Sequence, residues 1–99
     1  MENTVLTAGR YNKIIIGSKP LTNYVIACIT IFNSGSDKVI LRARGKAINN
    51  LVEVFLLLKN SFFKDIKITS VNIDCDEITF DDGKRVFLPV LELFLSKTK

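Results

Sequence analysis

Three cationic side chains lie within five consecutive residues of this sequence: Arg42, Arg44 and Lys46, with Gly45 between the last two. Guanidinium groups are planar, multi-donor partners for phosphate oxygens, and a glycine lets a backbone approach closely. Because like charges in one loop repel each other, an anionic partner is a physical reason for such a cluster. The spacing therefore predicts contact with phosphate groups, and a solvated cluster is the alternative.

A second candidate anion site is the segment Gly17-Ser18-Lys19-Pro20, which follows three consecutive isoleucines. At a junction between a strand and a helix, this segment would offer backbone N–H groups, a hydroxyl, a helix N-terminus and a lysine. It lacks the glycine spacing of a Walker loop. A plain connecting loop is the alternative interpretation.

The charge of the chain is unevenly distributed. The net charge is +4, from 14 Lys and Arg against 10 Asp and Glu, yet residues 1–50 hold seven basic and only two acidic side chains. Residues 51–99 hold seven basic and eight acidic ones. This polarity would allow one basic face to meet nucleic acid, and an ordinary solvated surface is the alternative.

Several classes of function are disfavoured by the composition. The chain has no histidine, so the usual general base near neutral pH is missing and we predict no enzyme. Cys28 and Cys75 lie far apart without CxxC spacing, which predicts two small buried side chains in a reducing compartment and no zinc site. No apolar run is long enough to span a bilayer, and we expect no leader, metal, cofactor or small-molecule substrate.

The 99 residues suffice for one domain, and the hydrophobic pattern predicts a β-α-β-α-β-β order. Residues 1–11 show no period and predict a flexible tail, so we assign the domain to residues 12–97. Right-handed crossovers make the first two strands parallel, which gives a two-layer α/β sandwich. The predicted elements are Lys13–Ile16, Leu21–Phe32, Lys38–Ala43, Lys46–Phe62, Ile66–Glu77 and Val86–Leu95.

The last two strands predict a long β-hairpin that projects from the domain. The apolar positions change phase near Ser70, which indicates a bulge, and Asp82-Gly83 is a strong turn signal. Pro89 cannot donate to a ladder, so it predicts an edge position or a second bulge. Ten-residue strands span roughly 33 Å, which exceeds the width of a small domain.

The second helix is apolar on almost every side, and 47% of the chain is hydrophobic. A helix with such a pattern is buried on more than one side. We therefore expect an oligomer in which another copy covers part of this surface.

Three stretches resemble the Alba family of archaeal chromatin proteins: Ile-Ile-Ile-Gly-Ser-Lys-Pro-Leu-Thr-Asn-Tyr-Val at 14–25, Phe-Asn-Ser-Gly at 32–35 and Leu-Arg-Ala-Arg-Gly-Lys-Ala-Ile at 41–48. The resemblance extends from Lys13 to Ser96. It implies a homodimer, or a heterodimer with a paralogue, that coats and compacts double-stranded DNA and also binds RNA without catalysis. It also implies a cytoplasmic location on the chromosome, with hairpin arms reaching along the minor groove.

The resemblance, with the basic segments, assigns two sets of residues. Nucleic-acid contacts are expected at Ser18, Lys19, Asn23, Arg42, Arg44, Gly45, Lys46, Lys84 and Arg85. Contacts between copies are expected at Leu51, Phe55, Leu58 and Phe62. Relatives often carry two lysines in the first loop, but Ser18 occupies one of those places, which leaves Lys19 as the candidate for acetylation.

Two other functions are compatible with the sequence. One is an RNA-binding subunit of an RNA-processing or RNA-stabilising ribonucleoprotein, which would differ in its preference between duplex DNA and structured RNA. The other is an enzyme that acts on a phosphorylated small molecule at residues 17–20, although neither a base nor a metal cluster accompanies that loop. The main hypothesis would fail if the guanidinium groups of residues 42–46 were scattered over opposite sides of the protein or buried against carboxylates.

Overall fold

The predicted order of elements is present in the structure, a computed structural model that describes residues 5–8 and 11–97. Two helices and a short π-helical turn alternate with the strands. The elements are β1 (Val5–Ala8), β2 (Tyr11–Ile16), α1 (Leu21–Asn33), β3 (Lys38–Arg44), α2 (Ala47–Leu57), the π turn (Leu58–Phe62), β4 (Ile66–Thr79) and β5 (Arg85–Lys97).

The strands form one five-stranded sheet in the order β1-β2-β3-β5-β4. β2 and β3 are parallel, as predicted, and the other neighbours are antiparallel. The prediction of a loose tail is wrong for residues 5–8, which pair with β2. Backbone groups at a free sheet edge accept a short strand whatever its side-chain pattern, so periodicity does not reveal it. The prediction is also wrong for Tyr11, which begins β2. The rest of the predicted tail, residues 1–4 and 9–10, lies outside the described residues.

Both helices cover the same face of the sheet and enclose the core. α1 buries side chains at intervals of three and four, including Cys28, and β2 and β3 contribute alternate positions such as Ile14 and Leu41. Burial raises the pKa of the Cys28 thiol to about 12, so this cysteine is an inert core residue, as predicted. The core fixes the ends of β2 and β3 relative to each other.

The hairpin of β4 and β5 extends well beyond the helices. β3 pairs with β5 only as far as Arg44 opposite Val90, and the molecule measures 50 Å in its longest dimension against 25 and 24 Å. We call residues 74–89 the arm. The predicted bulge is confirmed by a register shift between Ile68 and Ser70, and Gly83 adopts a φ of +86° in the turn.

Pro89 lies where β5 has passed the end of β3. Its carbonyl accepts the N–H of Gly45 at 2.8 Å, so its backbone groups point away from β4. The missing N–H therefore removes no bond between β4 and β5. This part of β5 has a single strand neighbour, in agreement with the predicted edge position.

Cys75 contradicts the sequence prediction because it is exposed. It lies opposite Pro89 on the arm, on the face of β4 that carries Ile68, Val71 and Ile73. That face is the helix side of the sheet, because the partner residues Leu93 and Leu95 pack into the core. The helices do not extend to the arm, so an apolar residue there stays in solvent.

Candidate nucleic-acid interface

The two basic loops lie side by side because β2 and β3 are parallel neighbours. Ile16 pairs with Ala43, so the residues that follow leave the sheet at the same edge. We call residues 17–20 and 44–46 the basic corner; it contains three cations and no carboxylate. A concavity of about 420 Å³ lies beside it and is lined by Ile15, Ile16, Gly17, Arg42, Ala43, Arg44, Ala47 and Asp76.

Tyr24 shapes the first loop from within. Its buried hydroxyl accepts the N–H groups of Gly17 at 2.9 Å and Lys19 at 3.1 Å, while the side-chain amide of Asn50 donates to the carbonyl of Gly17 at 3.0 Å. The prediction that backbone N–H groups of this loop bind an anion is therefore wrong at Gly17 and Lys19, because both N–H groups already donate to Tyr24. The loop offers its exposed side chains instead.

Ser18, Lys19 and Asn23 are all exposed. Asn23 lies in the first turn of α1, where its N–H donates to the carbonyl of Pro20 at 3.0 Å. The structure thus brings all three predicted side chains to the same end of the sheet as the second loop.

Gly45 turns the chain from β3 into α2. Its φ of +60° lies in the left-handed region, where a side chain is strained, and its carbonyl accepts the N–H of Ile48 at 3.1 Å. The bond from Gly45 to Pro89 ties this loop to the base of the arm. Lys46 follows at the start of α2, is exposed, and makes no ion pair within residues 12–97.

The prediction for Arg42 is corrected by the structure. Its guanidinium pairs with Glu92 at 3.0 Å and with Asp76 at 3.3 Å, and only 29% of its side chain is exposed. The register places Glu92 directly opposite Arg42 on the same face of the sheet. Arg42 is therefore engaged by two carboxylates and does not stand free to meet a nucleic-acid backbone.

Glu92 is the centre of a cluster on the open face of the sheet. Its carboxylate accepts a hydrogen bond from the Asn72 amide at 3.0 Å and contacts the Lys13 ammonium at 3.4 Å as well as Arg42. The Asn72 hydrogen bond is the largest influence and lowers the pKa of Glu92; burial opposes it, and Arg42 and Lys13 lower the pKa further. The carboxylate therefore stays ionised in the folded protein at neutral pH.

Arg44 differs from Arg42 in its surroundings. Its side chain is 51% exposed, and it forms an ion pair with Asp76 at 3.4 Å. Since strands alternate their side chains, Arg42 and Arg44 share a face, but only Arg44 lies at the edge. Arg44 keeps much of its guanidinium available to an external anion.

The two cations of the hairpin turn are not brought to the basic corner. Lys84 is exposed near Gly83, and Arg85 pairs across the arm with Glu77 at 3.0 Å. The turn lies about six residues beyond Pro89, or about 20 Å along a strand. The arm also carries five carboxylates against these two cations, so its charge is opposite in sign to that of the corner.

Two of the four predicted contacts between copies are wrong. Leu51 and Leu58 are fully buried in the core of their own protomer, so they have no surface to offer a partner. The apolar pattern of α2 alone does not separate its inner face from its outer one. Phe55 is partly buried against the core, and Phe62, at the end of the π turn, is 54% exposed.

Sequence reasoning missed the residues that organise the corner: Tyr24, Asn50, Asp76 and Glu92. Strand alternation shows which residues of one strand share a face. Only the strand order shows that β3 and β5 are neighbours, which brings Arg42 to Glu92.

Within residues 12–97, no three Cys, Asp or Glu side chains are grouped closely enough to hold a metal ion. None of the helices in the described part of the chain combines the length and the hydrophobicity that crossing a bilayer requires.

Comparisons with known proteins agree with the observed fold. The family model described as Alba matches residues 12–74. A "DNA/RNA-binding protein Alba" from Methanocella arvoryzae is 33% identical over 88 residues, which cover 89% of this chain and 92% of that protein. A protein of the same name from Methanococcus maripaludis is 39% identical over 87 residues, covering 87% and 98%. The structure of Alba from Thermoplasma volcanium superposes with a TM-score of 0.81 at 34% identity, covering 87% of this chain and all of that one.

Proposed function

Because the chain belongs to the Alba family, we propose that it binds double-stranded DNA and RNA through their sugar-phosphate backbones, with little dependence on sequence. The observation that carries the proposal is the basic corner. There Lys19, Arg44 and Lys46 lie on one exposed edge, in loops without a carboxylate. In its cellular setting, the protein associates with the chromosome in the cytoplasm and compacts it.

Phosphate neutralisation supplies the binding energy in this proposal. Lysine and arginine side chains that meet phosphates release condensed counterions, and this gain does not depend on base sequence. The corner presents flexible side chains on loops and no helix or ribbon shaped for a groove. Binding of this kind involves no catalytic step.

A second copy of the chain is the proposed cover for the exposed apolar face of β4. Ile68, Val71 and Ile73 follow one another along the helix side of this edge strand, and Ile73 is 75% exposed. Phe87 extends the same face onto β5 at 65% exposure. Contiguous exposed apolar surface of this kind indicates a protein contact, and dimerisation would give each assembly two basic corners.

The salt dependence of binding tests the main proposal. Two copies of Lys19, Arg44 and Lys46 provide six cations, so log K for duplex DNA should fall against log salt with a slope of about −5. The measurement is a fluorescence-anisotropy titration of a labelled duplex at several salt concentrations. A slope close to zero would contradict phosphate neutralisation.

The dimer is tested separately with a matched pair of variants. Ile73→Lys places a charge in the proposed contact. Ile26→Lys places the same charge on α1, at another exposed isoleucine whose exposed fraction is 60%. We expect Ile73→Lys to give monomers and Ile26→Lys to leave dimers in sedimentation equilibrium. Dimers that persist in both variants would place the contact elsewhere.

An RNA-binding subunit of a ribonucleoprotein is the second candidate, because the acidic arm counts against minor-groove contact with a duplex. Five carboxylates on residues 74–89 repel the phosphates that flank a minor groove, so arms of this charge are poorly suited to coating a duplex. Affinities for duplex DNA, structured RNA and single strands at matched salt separate the two candidates. Nucleic acid recovered after crosslinking in the native host shows which one operates in cells.

A further inference from the structure

One carboxylate of the acidic arm reaches back to the basic corner. Asp76 directs a single oxygen, Oδ2, at two guanidinium groups: that of Arg42 at 3.3 Å and that of Arg44 at 3.4 Å. It lines the concavity beside the corner together with both arginines. An anion therefore already occupies the position between the two arginines in the unliganded protein.

Asp76 is held much less firmly than Glu92. Glu92 receives contacts from Asn72, Lys13 and Arg42 on both of its oxygens, and its side chain is only 10% exposed. Asp76 uses one oxygen at longer distances, and its side chain is 35% exposed. Because exposed ion pairs contribute little free energy, the Asp76 contacts can be exchanged for contacts with an external anion.

We propose that Asp76 is an internal competitor for nucleic-acid phosphate, and that it sets the affinity of the basic corner. This inference rests on the proposed function. Carboxylate and phosphate oxygens make the same kind of charge-assisted hydrogen bond to a guanidinium, so one replaces the other without a change in the backbone. A phosphodiester that reaches Arg44 displaces the carboxylate, which turns outward into solvent.

The fold delivers this carboxylate to its place. The bond from Gly45 to Pro89 fixes the base of the arm against the second basic loop, and Asp76 lies opposite Leu88, one residue from that anchor. Leu88 in turn approaches Gly45, where a Cβ would meet its methyl groups at 3.8 Å. Asp76 is therefore held beside the corner by the backbone, and only its side chain needs to move.

The test compares two isosteric substitutions that change the charge equally. Asp76→Asn removes the competing anion, and Asp74→Asn removes a carboxylate two residues away, which accepts a hydrogen bond from the adjacent N–H of Cys75 at 2.8 Å and forms no ion pair within residues 12–97. At about 0.15 M salt we expect Asp76→Asn to raise the affinity for duplex DNA about fivefold. Asp74→Asn should raise it less than twofold, because screening weakens distant charges.

A combination of variants tests whether the effect of Asp76 depends on Arg44. In an Arg44→Gln background, the gain from Asp76→Asn should fall to that of Asp74→Asn, as a double-mutant cycle would show. Asp76→Ser, which removes the charge without an amide, should reproduce the gain, and thermal unfolding confirms that each variant folds. Equal gains from Asp76→Asn and Asp74→Asn, or a gain that survives loss of Arg44, would overturn the inference.

These outcomes remain distinct from a failure of the proposed function. If the wild-type protein binds neither DNA nor RNA, the proposed function fails and the inference fails with it. If the wild type binds with the expected salt slope but the two aspartate variants behave alike, only the role of Asp76 is refuted.

Discussion

The basic corner and the arm are adjacent in space but opposite in charge and in construction. The corner consists of two loops at the ends of parallel strands; hydrogen bonds to Tyr24 and Asn50 hold the first loop, and the bond from Gly45 to Pro89 holds the second. The arm is a two-stranded extension with five carboxylates, and the helices do not cover it. The corner is thus a cationic surface held by hydrogen bonds, whereas the arm is an acidic extension outside the core.

Residues that are close together in the sequence therefore have different roles in the structure. Of the cations in residues 42–46, Arg42 belongs to the ion cluster around Glu92, while Arg44 and Lys46 face outward. The arm contributes an anion to the corner through Asp76, and Phe87 on the arm continues the exposed apolar face of β4. Local net charge is therefore a poor guide to binding until the partner of each side chain is known.

The largest effect should follow from reversing the charge of the corner. Arg44→Glu combined with Lys46→Glu should lower the affinity for duplex DNA about 100-fold at 0.1 M salt, because phosphate contacts are replaced by repulsion. Lys84→Glu with Arg85→Glu makes the same charge change on the arm and should cost less than about fivefold. Anisotropy titrations measure both, and equal losses would remove the distinction between the two regions.

A smaller effect is expected on protein stability when the charge at the centre of the cluster around Glu92 is removed. Glu92→Gln should lower the free energy of unfolding by about 2 kcal/mol at pH 7, since hydrogen bonds to a charged group are lost. The exposed Glu77→Gln on the arm should cost less than about 0.5 kcal/mol. Urea unfolding of both variants provides the comparison.

This effect has a defined pH dependence. The folded structure holds the pKa of Glu92 below its ordinary value of 4.5, so its stabilisation is fully present above that pH. It is lost as the pH falls through the lower folded value. The difference between wild type and Glu92→Gln should therefore shrink below about pH 4.5, and a difference that grows on acidification would contradict this assignment.

The smallest effect should come from single truncations. Arg44→Ala should weaken binding about fivefold, by similar factors on unrelated duplex sequences, because it contacts phosphate and not bases. Lys84→Ala on the arm should change the affinity by less than twofold. A large loss on one sequence alone would indicate that Arg44 reads bases.

Much of the fold follows from local patterns in the sequence. The isoleucine run, the three- and four-residue spacing in the helices, the bulge near Ser70 and the turn at Gly83 all predict the elements that are observed. Each of these signals depends on residues close together in the chain. The strand at residues 5–8 carried no such signal, because four residues are too few to show a hydrophobic period and the strand forms by backbone pairing with residues 11–14.

The sequence alone determined the element order from β2 onward, the two basic loops and the polarity of charge, since side-chain periodicity and turn chemistry act over a few residues. Only the tertiary structure decided which charges pair. Arg42 and Glu92 are 50 residues apart, and they meet because β5 inserts between β3 and β4. The same strand order brings Asp76 to Arg44, whereas helix packing buries Leu51 in the core and the absence of helices over the arm leaves Cys75 in solvent. Burial and ion pairing depend on distances in space and not along the chain.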